Sequence, residues 1–357
     1  MMRTEQNAVT APFRTQEATS ILRRASWVAA AVVGVVSVTG CERFSPTVRQ
    51  VGPGVLTVTT APGATLEVLD WGGGGPALVF LAGGGHTAHE FDEFAPQLSD
   101  AFHVIGVTRR GVGESSGARA RGPRDAIMDL AAVLDALGLD SVVLVGHSQG
   151  GLEAARFAQA FPERCKGIVH LDSAYLGGEA ELGDIFRTTP PPAPPAKTPT
   201  DSSSARAMQA WTERTQGFRL PESEIRAVNR LDEAGRIIGP KPRDTPPMSS
   251  ASGGLPELKW ESVGCPALAL YAVTAPLETW MPHYIARYDS LSVEEREQAD
   301  AYVTRFAAWT AARRSEFARL PQNEAVEFPA TGHYFFLEQP EQERALALIR
   351  QFVARLD

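Results

Sequence analysis

The residues best suited to chemistry lie in the stretch VVLVGHSQGG, Val142 to Gly151. Four apolar residues lead into a glycine and a histidine, then into Ser148, a glutamine and two further glycines. This order predicts a buried strand, a sharp turn that presents the Ser148 hydroxyl outward, and then a helix. The flanking glycines lack the Cβ atoms that would clash in such a turn. We interpret Ser148 as a candidate nucleophile, the alternative being a glycine-rich turn with an idle serine.

A serine hydroxyl is a poor nucleophile without a neighbouring base, so the chain should supply a histidine. His333, in EFPATGHYFF, lies between the last predicted strand and the last predicted helix. Active-site groups gather at such carboxyl ends of strands in open α/β sheets. His147 adjoins the serine, but we expect its side chain to point away from the hydroxyl. We expect His103 and His170, within predicted strands, to be core residues, and His86 to lie at the mouth of the pocket.

A serine nucleophile also needs hydrogen-bond donors for the oxyanion of its tetrahedral intermediate. The stretch FLAGGGHT, Phe80 to Thr87, follows a predicted strand, and its glycines let backbone N–H groups approach a ligand closely. We predict that the N–H groups of Gly84 and of Gln149, directly after the nucleophile, form an oxyanion hole. The alternative is a tight turn without a role in binding.

The elements that must position these residues follow from apolar runs and helical periodicity. Strands that alternate with helices predict an α/β fold, with a mostly parallel eight-stranded sheet covered by helices on both faces. The predicted strands are Val55 to Thr59, Leu66 to Asp70, Ala77 to Leu81, His103 to Val107, Val142 to Val145, Ile168 to Leu171, Ala267 to Tyr271 and Ala325 to Phe328.

One region, about residues 176–259, breaks this alternation and is predicted to be a helical cap inserted into the sheet domain, which spans 53–357. Its proline-rich lead-in, TTPPPAPPAKTPTDSSS, cannot form a helix or a central strand, and helical patterns flank it. A second insertion, Pro276 to Pro321, is also predicted to be helical. The apolar residues of the cap indicate only that the pocket is partly apolar.

The first 40 residues are predicted to be a signal peptide. Two arginines precede the apolar run from Trp27 to Val38, which is too short for a bilayer span of about 20 residues. The following VTGC is similar to a bacterial lipobox, which implies lipidation of Cys41, a tether over 41–52, and export to the periplasm or cell envelope with a membrane anchor. A cleaved secretory signal or a single weak anchor is the alternative.

Composition limits the classes of partner. The chain has 357 residues, 43% of them hydrophobic and 21% charged, which argues against global disorder. Its net charge of −8 comes without a basic stripe, so nucleic acid is not expected as a partner. We predict no cofactor and no metal. Cys165 and Cys265 are an even pair that forms either a disulfide in an oxidising compartment or two buried thiols.

These motifs together resemble the α/β-hydrolase superfamily. GHSQGG matches its nucleophile elbow, LAGGGHT is similar to its oxyanion loop, TRRGVGESS resembles the motif after the next strand, and ATGHYFFLEQPE is similar to its catalytic-histidine motif. The resemblance covers roughly Pro76 to Tyr175 and Gly264 to Asp357, in the order and spacing of the family. It departs at Ala82, where many members have histidine, and at Thr108, where many have aspartate. Neither departure removes a catalytic atom, because the oxyanion donors are backbone groups.

The resemblance leaves two candidates for the acid of a catalytic triad. Most members carry the acid after the strand that here has the sequence ALALY, where the following loop offers only Glu278. A minority carry it one strand earlier, and there Asp172 ends the strand GIVHL. We favour Asp172, because a short side chain on a rigid strand end holds His333 better than a glutamate on a proline-containing loop. The alternative is that Asp172 is only structural.

The resemblance also implies a reaction class. Members that open epoxides or displace halides use a carboxylate nucleophile, so Ser148 implies acyl transfer to water. The expected function is hydrolysis of a small-molecule ester, thioester, lactone or amide by Ser148, His333 and an acid. A C–C bond hydrolase, a lyase or an aminopeptidase on the same fold remains an alternative. An aminopeptidase would need cap carboxylates to hold a substrate ammonium, and the candidates are Glu179, Glu181, Asp184, Glu222, Glu224, Asp232 and Glu233. A non-catalytic binding lipoprotein is the alternative from another class.

Overall fold

A computed structural model of the chain describes residues 44–117, 122–190, 195–242, 255–273 and 291–356. Nine strands of this part of the chain form one sheet. They are β1 (Thr47–Gly52), β2 (Val55–Ala61), β3 (Ala64–Gly72), β4 (Ala77–Leu81), β5 (His103–Val107), β6 (Val142–His147), β7 (Cys165–Leu171), β10 (Ala267–Val273) and β11 (Asn323–Pro329), while β8 (Asn229–Leu231) and β9 (Ile237–Pro240) form a separate hairpin. The described helices are α1 (Pro123–Leu137), α2 (Gln149–Ala160), α3 (Glu179–Thr188), α4 (Ala205–Gln216), α5 (Glu222–Val228), α6 (Val293–Phe317) and α7 (Glu341–Val353).

The sheet has the order β1-β2-β3-β5-β4-β6-β7-β10-β11. The strands from β1 to β3 pair antiparallel, as does β3 with β5, and all later pairs are parallel. β4 and β6 are buried at every position, as expected for parallel strands with both faces covered. The carboxyl ends of β4, β6, β7 and β11 therefore lie at one edge, where ligands bind in folds of this kind.

Two hydrophobic clusters cover the two faces of the sheet. One contains buried residues of α1 and α2, such as Leu134 and Phe157. The other contains buried residues of α7, such as Ile349 and Phe352, which pack with the opposite side chains of the same strands. This layered arrangement confirms the predicted α/β fold class with helices on both faces.

The predicted number of strands was wrong, because the described residues form a sheet of nine strands rather than eight. The additional strand, β1, occupies part of the segment predicted as a tether and pairs antiparallel with β2, with Thr47 opposite Thr59. Its first five residues are exposed, so it lacks the alternation of buried and polar positions by which an edge strand could be recognised.

The inserted cap region contains α3 to α5 but is not entirely helical. Helical periodicity after Glu222 ends at Val228, and the chain then forms the β8–β9 hairpin around Gly235, whose φ is 78°. The Asp232 side chain accepts hydrogen bonds from two backbone N–H groups of this turn, a local contact that competes with a helix. In the second insertion, α6 confirms a helix over residues 293–317.

The predicted signal peptide and Cys41 lie outside the described residues. Among the helices that the structure describes, none combines the length and the hydropathy needed to cross a membrane.

Candidate active site

The predicted nucleophile lies at a sharp junction of strand and helix. β6 runs directly into Ser148, and α2 begins at the next residue. Ser148 has φ 50° and ψ −118°, a conformation that costs free energy for a residue with a side chain and that is common at functional turns. The glycines are required, since a Cβ at Gly146 would lie 2.4 Å from the backbone nitrogen of Gly151 and one at Gly150 would lie 2.0 Å from the carbonyl oxygen of Leu81.

The structure brings Asp172 and His333 together. Nδ1 of His333 lies 2.6 Å from Oδ2 of Asp172, which follows β7, the strand beside β6. The other carboxylate oxygen accepts hydrogen bonds from the Tyr175 hydroxyl at 2.5 Å and from the Ala272 N–H at 3.1 Å. Because the carboxylate holds a proton on Nδ1, the Nε2 atom of His333 keeps the lone pair that a general base needs.

A second buried pair lies beneath the histidine loop. Nε2 of His147 donates to the backbone carbonyl of His333 at 3.1 Å, and its Nδ1 lies 2.8 Å from Oε1 of Glu90. Glu90 lies in the short 3₁₀ turn Ala88–Phe91, and both side chains are fully buried. Burial opposes ionisation of both side chains and lowers the pKa of His147. At Glu90, His147, His86 and the N–H of Gly83 outweigh burial and lower the pKa of the carboxyl to about 2. The pair thus connects the strand before the nucleophile to the loop of the candidate base.

The two residues predicted to supply the oxyanion donors lie close together. The N–H of Gly83 donates to Oε2 of Glu90 at 2.9 Å, which commits this group to the protein interior. The next residue, Gly84, is exposed, and a Cβ on it would lie 3.0 Å from Oε1 of Gln149. The loop after β4 therefore faces the first residue of α2, as an oxyanion hole formed from Gly84 and Gln149 requires.

The cap is joined to the same loop through His86. Its Nδ1 lies 2.9 Å from Oε1 of Glu224 on α5, and its Nε2 lies 3.0 Å from the hydroxyl of Tyr334. The backbone and hydroxyl of Thr87 also donate to the Glu224 carboxylate, which is fully buried. Phe218 stacks on Tyr334 with ring centroids 3.9 Å apart. His86 thus lies between the cap and the residue after the candidate base.

The other sequence candidates are placed as follows. Glu278 lies outside the described residues. The prediction for His103 was wrong, because this residue begins β5 with its side chain 30% exposed and pairs with Asp70. His170 is a core residue as expected, and burial lowers its pKa to about 3.

Two further expectations concerned a cysteine pair and metal ligands. Cys165 and Cys265 are buried thiols whose Sγ atoms lie 3.7 Å apart. Over the described ranges, no group of three or more His, Cys, Asp or Glu residues is arranged to hold a metal ion.

Sequence reasoning missed Glu90 and Arg109 as supports of this site. Arg109, two residues beyond the end of β5, donates to the carbonyls of Ala82 and Gly83 in the oxyanion loop. Apart from the contact of Glu90 with Gly83, these partners are distant in the sequence, so no local pattern marks either residue.

Comparisons with known proteins agree with this architecture. Residues 76–222 match a family described as the alpha/beta hydrolase fold. A crystal structure of E-2-(acetamidomethylene)succinate hydrolase superposes with a TM-score of 0.55 at 21% identity, covering 84% of this chain and 98% of that one. The protein therefore has the α/β-hydrolase fold.

Curated relatives match a shorter segment. Epoxide hydrolase B of Mycobacterium tuberculosis is 31% identical over 107 residues, which are 29% of this chain and 30% of that protein. A non-heme chloroperoxidase of Streptomyces lividans is 38% identical over 112 residues, 30% of this chain and 41% of its own length. The chain thus spans less than half the length of these relatives. Together with the family match over residues 76–222, they agree with the α/β-hydrolase fold of this part of the chain.

Proposed function

We propose that this protein is a serine hydrolase that cleaves an ester-like small molecule, whether ester, thioester, lactone or amide, through an acyl-enzyme. The observation that carries the proposal is the 2.6 Å contact between Asp172 and His333, at the same edge of the sheet as the strained Ser148. A serine at an elbow, a histidine and a buried carboxylate are the parts of a nucleophilic triad.

The proposed reaction assigns one task to each group. Nε2 of His333 takes the proton of Ser148 as Oγ attacks the substrate carbonyl, and Asp172 stabilises the resulting imidazolium. The N–H groups of Gly84 and Gln149 donate to the oxyanion. The imidazolium then protonates the leaving group, which departs and leaves the acyl group on Ser148. Water activated by the same histidine releases the acid and restores the free enzyme.

The names of the relatives do not decide the reaction, because they include an epoxide hydrolase and a chloroperoxidase. The nucleophile favours acyl transfer, since epoxide opening on this fold uses a carboxylate at the position of Ser148. The state of Glu224 argues against an aminopeptidase that would use it to hold a substrate ammonium. Its carboxylate is fully buried and already accepts hydrogen bonds from Thr87 and contacts His86.

Labelling with a fluorophosphonate probe tests the proposal. The wild type should be labelled and should hydrolyse p-nitrophenyl esters, whereas Ser148→Ala should do neither. Ser99→Ala is a matched control, because the Ser99 hydroxyl donates to the carbonyl of Pro96 within a local turn. Undiminished labelling or turnover of Ser148→Ala would exclude this nucleophile. A panel of esters, amides and β-diketones separates acyl transfer from C–C bond cleavage.

We also propose that the protein is exported and held at a membrane by a lipid on Cys41, from the lipobox-like sequence alone. The full chain, expressed in a lipoprotein-processing bacterium, should partition into membranes, and a Cys41→Ser form should not be lipidated. Soluble wild type cleaved at another position would reject the anchor.

A further inference from the structure

Arg109 contacts the oxyanion loop from its inner side. Its Nη1 donates to the carbonyl of Gly83 at 2.5 Å, and its Nη2 donates to the carbonyl of Ala82 at 2.6 Å. The side chain is only 10% exposed. A planar guanidinium thus binds two successive carbonyls of a loop rich in glycine, which an ammonium could not match with the same geometry.

A carboxylate on the nucleophile helix holds this guanidinium in place. Oε1 of Glu153 accepts from Nε of Arg109 at 3.1 Å, and Oε2 accepts from Nη2 at 3.2 Å. The same Oε1 accepts from the side-chain amide of Gln149 at 3.1 Å. Glu153 therefore connects the support of the loop after β4 to the residue that offers the second proposed oxyanion donor.

The geometry of the peptide bond gives these contacts a consequence at the site. In a planar trans peptide, the carbonyl and the N–H point in opposite directions. The peptide between Ala82 and Gly83 already shows this, since its carbonyl faces Arg109 and its N–H faces Glu90. In the next peptide, the carbonyl of Gly83 faces Arg109, so the N–H of Gly84 is directed away from the guanidinium.

A positive charge at the carbonyl also polarises the N–H of the same peptide, because hydrogen bonds in a chain strengthen one another. Gly83 and Gly84 have no side chains to fix this peptide, and glycine adopts alternative backbone angles at little cost. The orientation of the proposed donor therefore depends on what holds its carbonyl, which accepts from Arg109 and also from the N–H of His86 at 3.2 Å.

We propose that Arg109 is a positioning residue that orients and polarises the Gly83–Gly84 peptide of the oxyanion hole. This role rests on the proposed serine hydrolase function. Arg110, the next residue, offers a matched comparison, because its guanidinium donates to Asp129 on α1 instead, with Nε 2.9 Å from Oδ2.

Steady-state kinetics on a p-nitrophenyl ester, with phenylboronic acid as a transition-state analogue, tests this role. Loss of an oxyanion donor costs about 100- to 1000-fold in kcat, so loss of its support in Arg109→Ala should cost about 10- to 100-fold. KM should stay within about threefold, since the group stabilises the transition state more than bound substrate. The inhibition constant of phenylboronic acid should rise by the same factor as kcat falls.

Two further variants keep the test independent of folding. Arg109→Lys retains the charge beside Glu153, but can donate well to only one carbonyl, so its kcat should fall less than that of Arg109→Ala. Arg110→Ala should lower the melting temperature while kcat, normalised to sites titrated with fluorophosphonate, stays within about threefold of wild type.

Each outcome decides the role of Arg109. An unchanged kcat in Arg109→Ala overturns it, as does an increase in KM at constant kcat, which would indicate direct substrate contact. An equal loss in Arg110→Ala overturns it in favour of general destabilisation. A wild type that is neither labelled nor active on any ester removes the proposed function and this role together, whereas an active wild type with normal Arg109 variants removes only the latter.

Discussion

Replacing Asp172 with asparagine should reverse the tautomer of His333. The carboxylate accepts hydrogen bonds from three donors: Nδ1 of His333, the Tyr175 hydroxyl and the N–H of Ala272. An asparagine has one acceptor oxygen and one amide group of donors. If the oxygen serves Tyr175 and Ala272, the NH₂ group faces Nδ1, which must then become the acceptor. The proton moves to Nε2, and the nitrogen that should accept the Ser148 proton is blocked.

The expected magnitude follows from this exchange. A triad aspartate replaced by asparagine lowers kcat by about four orders of magnitude, which corresponds to about 5.4 kcal/mol of transition-state stabilisation. The hydrogen bonds themselves can all be satisfied in the variant, so the free energy of unfolding should change by no more than about 1–2 kcal/mol. A large loss of activity with little loss of stability is therefore the signature of a wrong tautomer.

Turnover of a p-nitrophenyl ester, normalised to folded protein, measures the effect. Asp172→Asn combined with His333→Ala should be no slower than His333→Ala alone, because the acid acts only through the histidine. Tyr175→Phe is a control that removes one donor and keeps the carboxylate, and it should cost about tenfold or less. A kcat of Asp172→Asn within tenfold of wild type would refute the assignment of Asp172 as the triad acid. Glu278→Gln would then be the variant to measure.

Two further predictions concern groups around the site. Burial opposes protonation of His89, but Asp92 and Glu67 outweigh it and raise its pKa to about 10. The free energy of unfolding, measured in urea, should therefore be higher for wild type than for His89→Gln, fully so below about pH 6.5 and progressively less as the pH rises toward 10. A difference in unfolding free energy that stays constant over this pH range would contradict the prediction. Glu224→Gln should raise KM by about tenfold with a smaller change in kcat, because the substitution weakens the contact of the cap with His86. A fall in kcat at constant KM would contradict this prediction.

The sequence predicted those parts of the site that local patterns encode. Ser148 and Asp172 each follow an apolar run, and His333 follows a strand with alternating apolar residues, so strand patterns place all three at the carboxyl edge of a parallel sheet. The resemblance to the α/β-hydrolase superfamily singled out Asp172 as the candidate acid. The catalytic assignment of these residues remains a prediction, although the contact between Asp172 and His333 was anticipated from the rigidity of a strand end.

The parts that were missed depend on contacts between distant segments. Glu90 and His147 are separated by 57 residues, and His86 and Glu224 by 138. A glutamate on a short cap helix has the sequence signature of a solvated residue, and only the docking of that helix buries it. The edge strand β1 was missed for the opposite reason, since its side chains remain exposed and leave no apolar pattern.

These pairs of residues, which are distant in the sequence, share one effect: each restrains the loop after β4, whose own residues do not fix its conformation. The loop after β4 is rich in glycine, so its backbone can approach a substrate, but its conformational freedom would disorder the donors. Three carboxyl side chains hold it from different sides: Glu90 through His147, Glu224 through His86, and Glu153 through Arg109. Such buried contacts contribute little net stability, because the desolvation of a carboxylate offsets the attraction of its partner. Their benefit lies in orientation, since donors that are already aligned need no reorganisation when charge develops on the substrate.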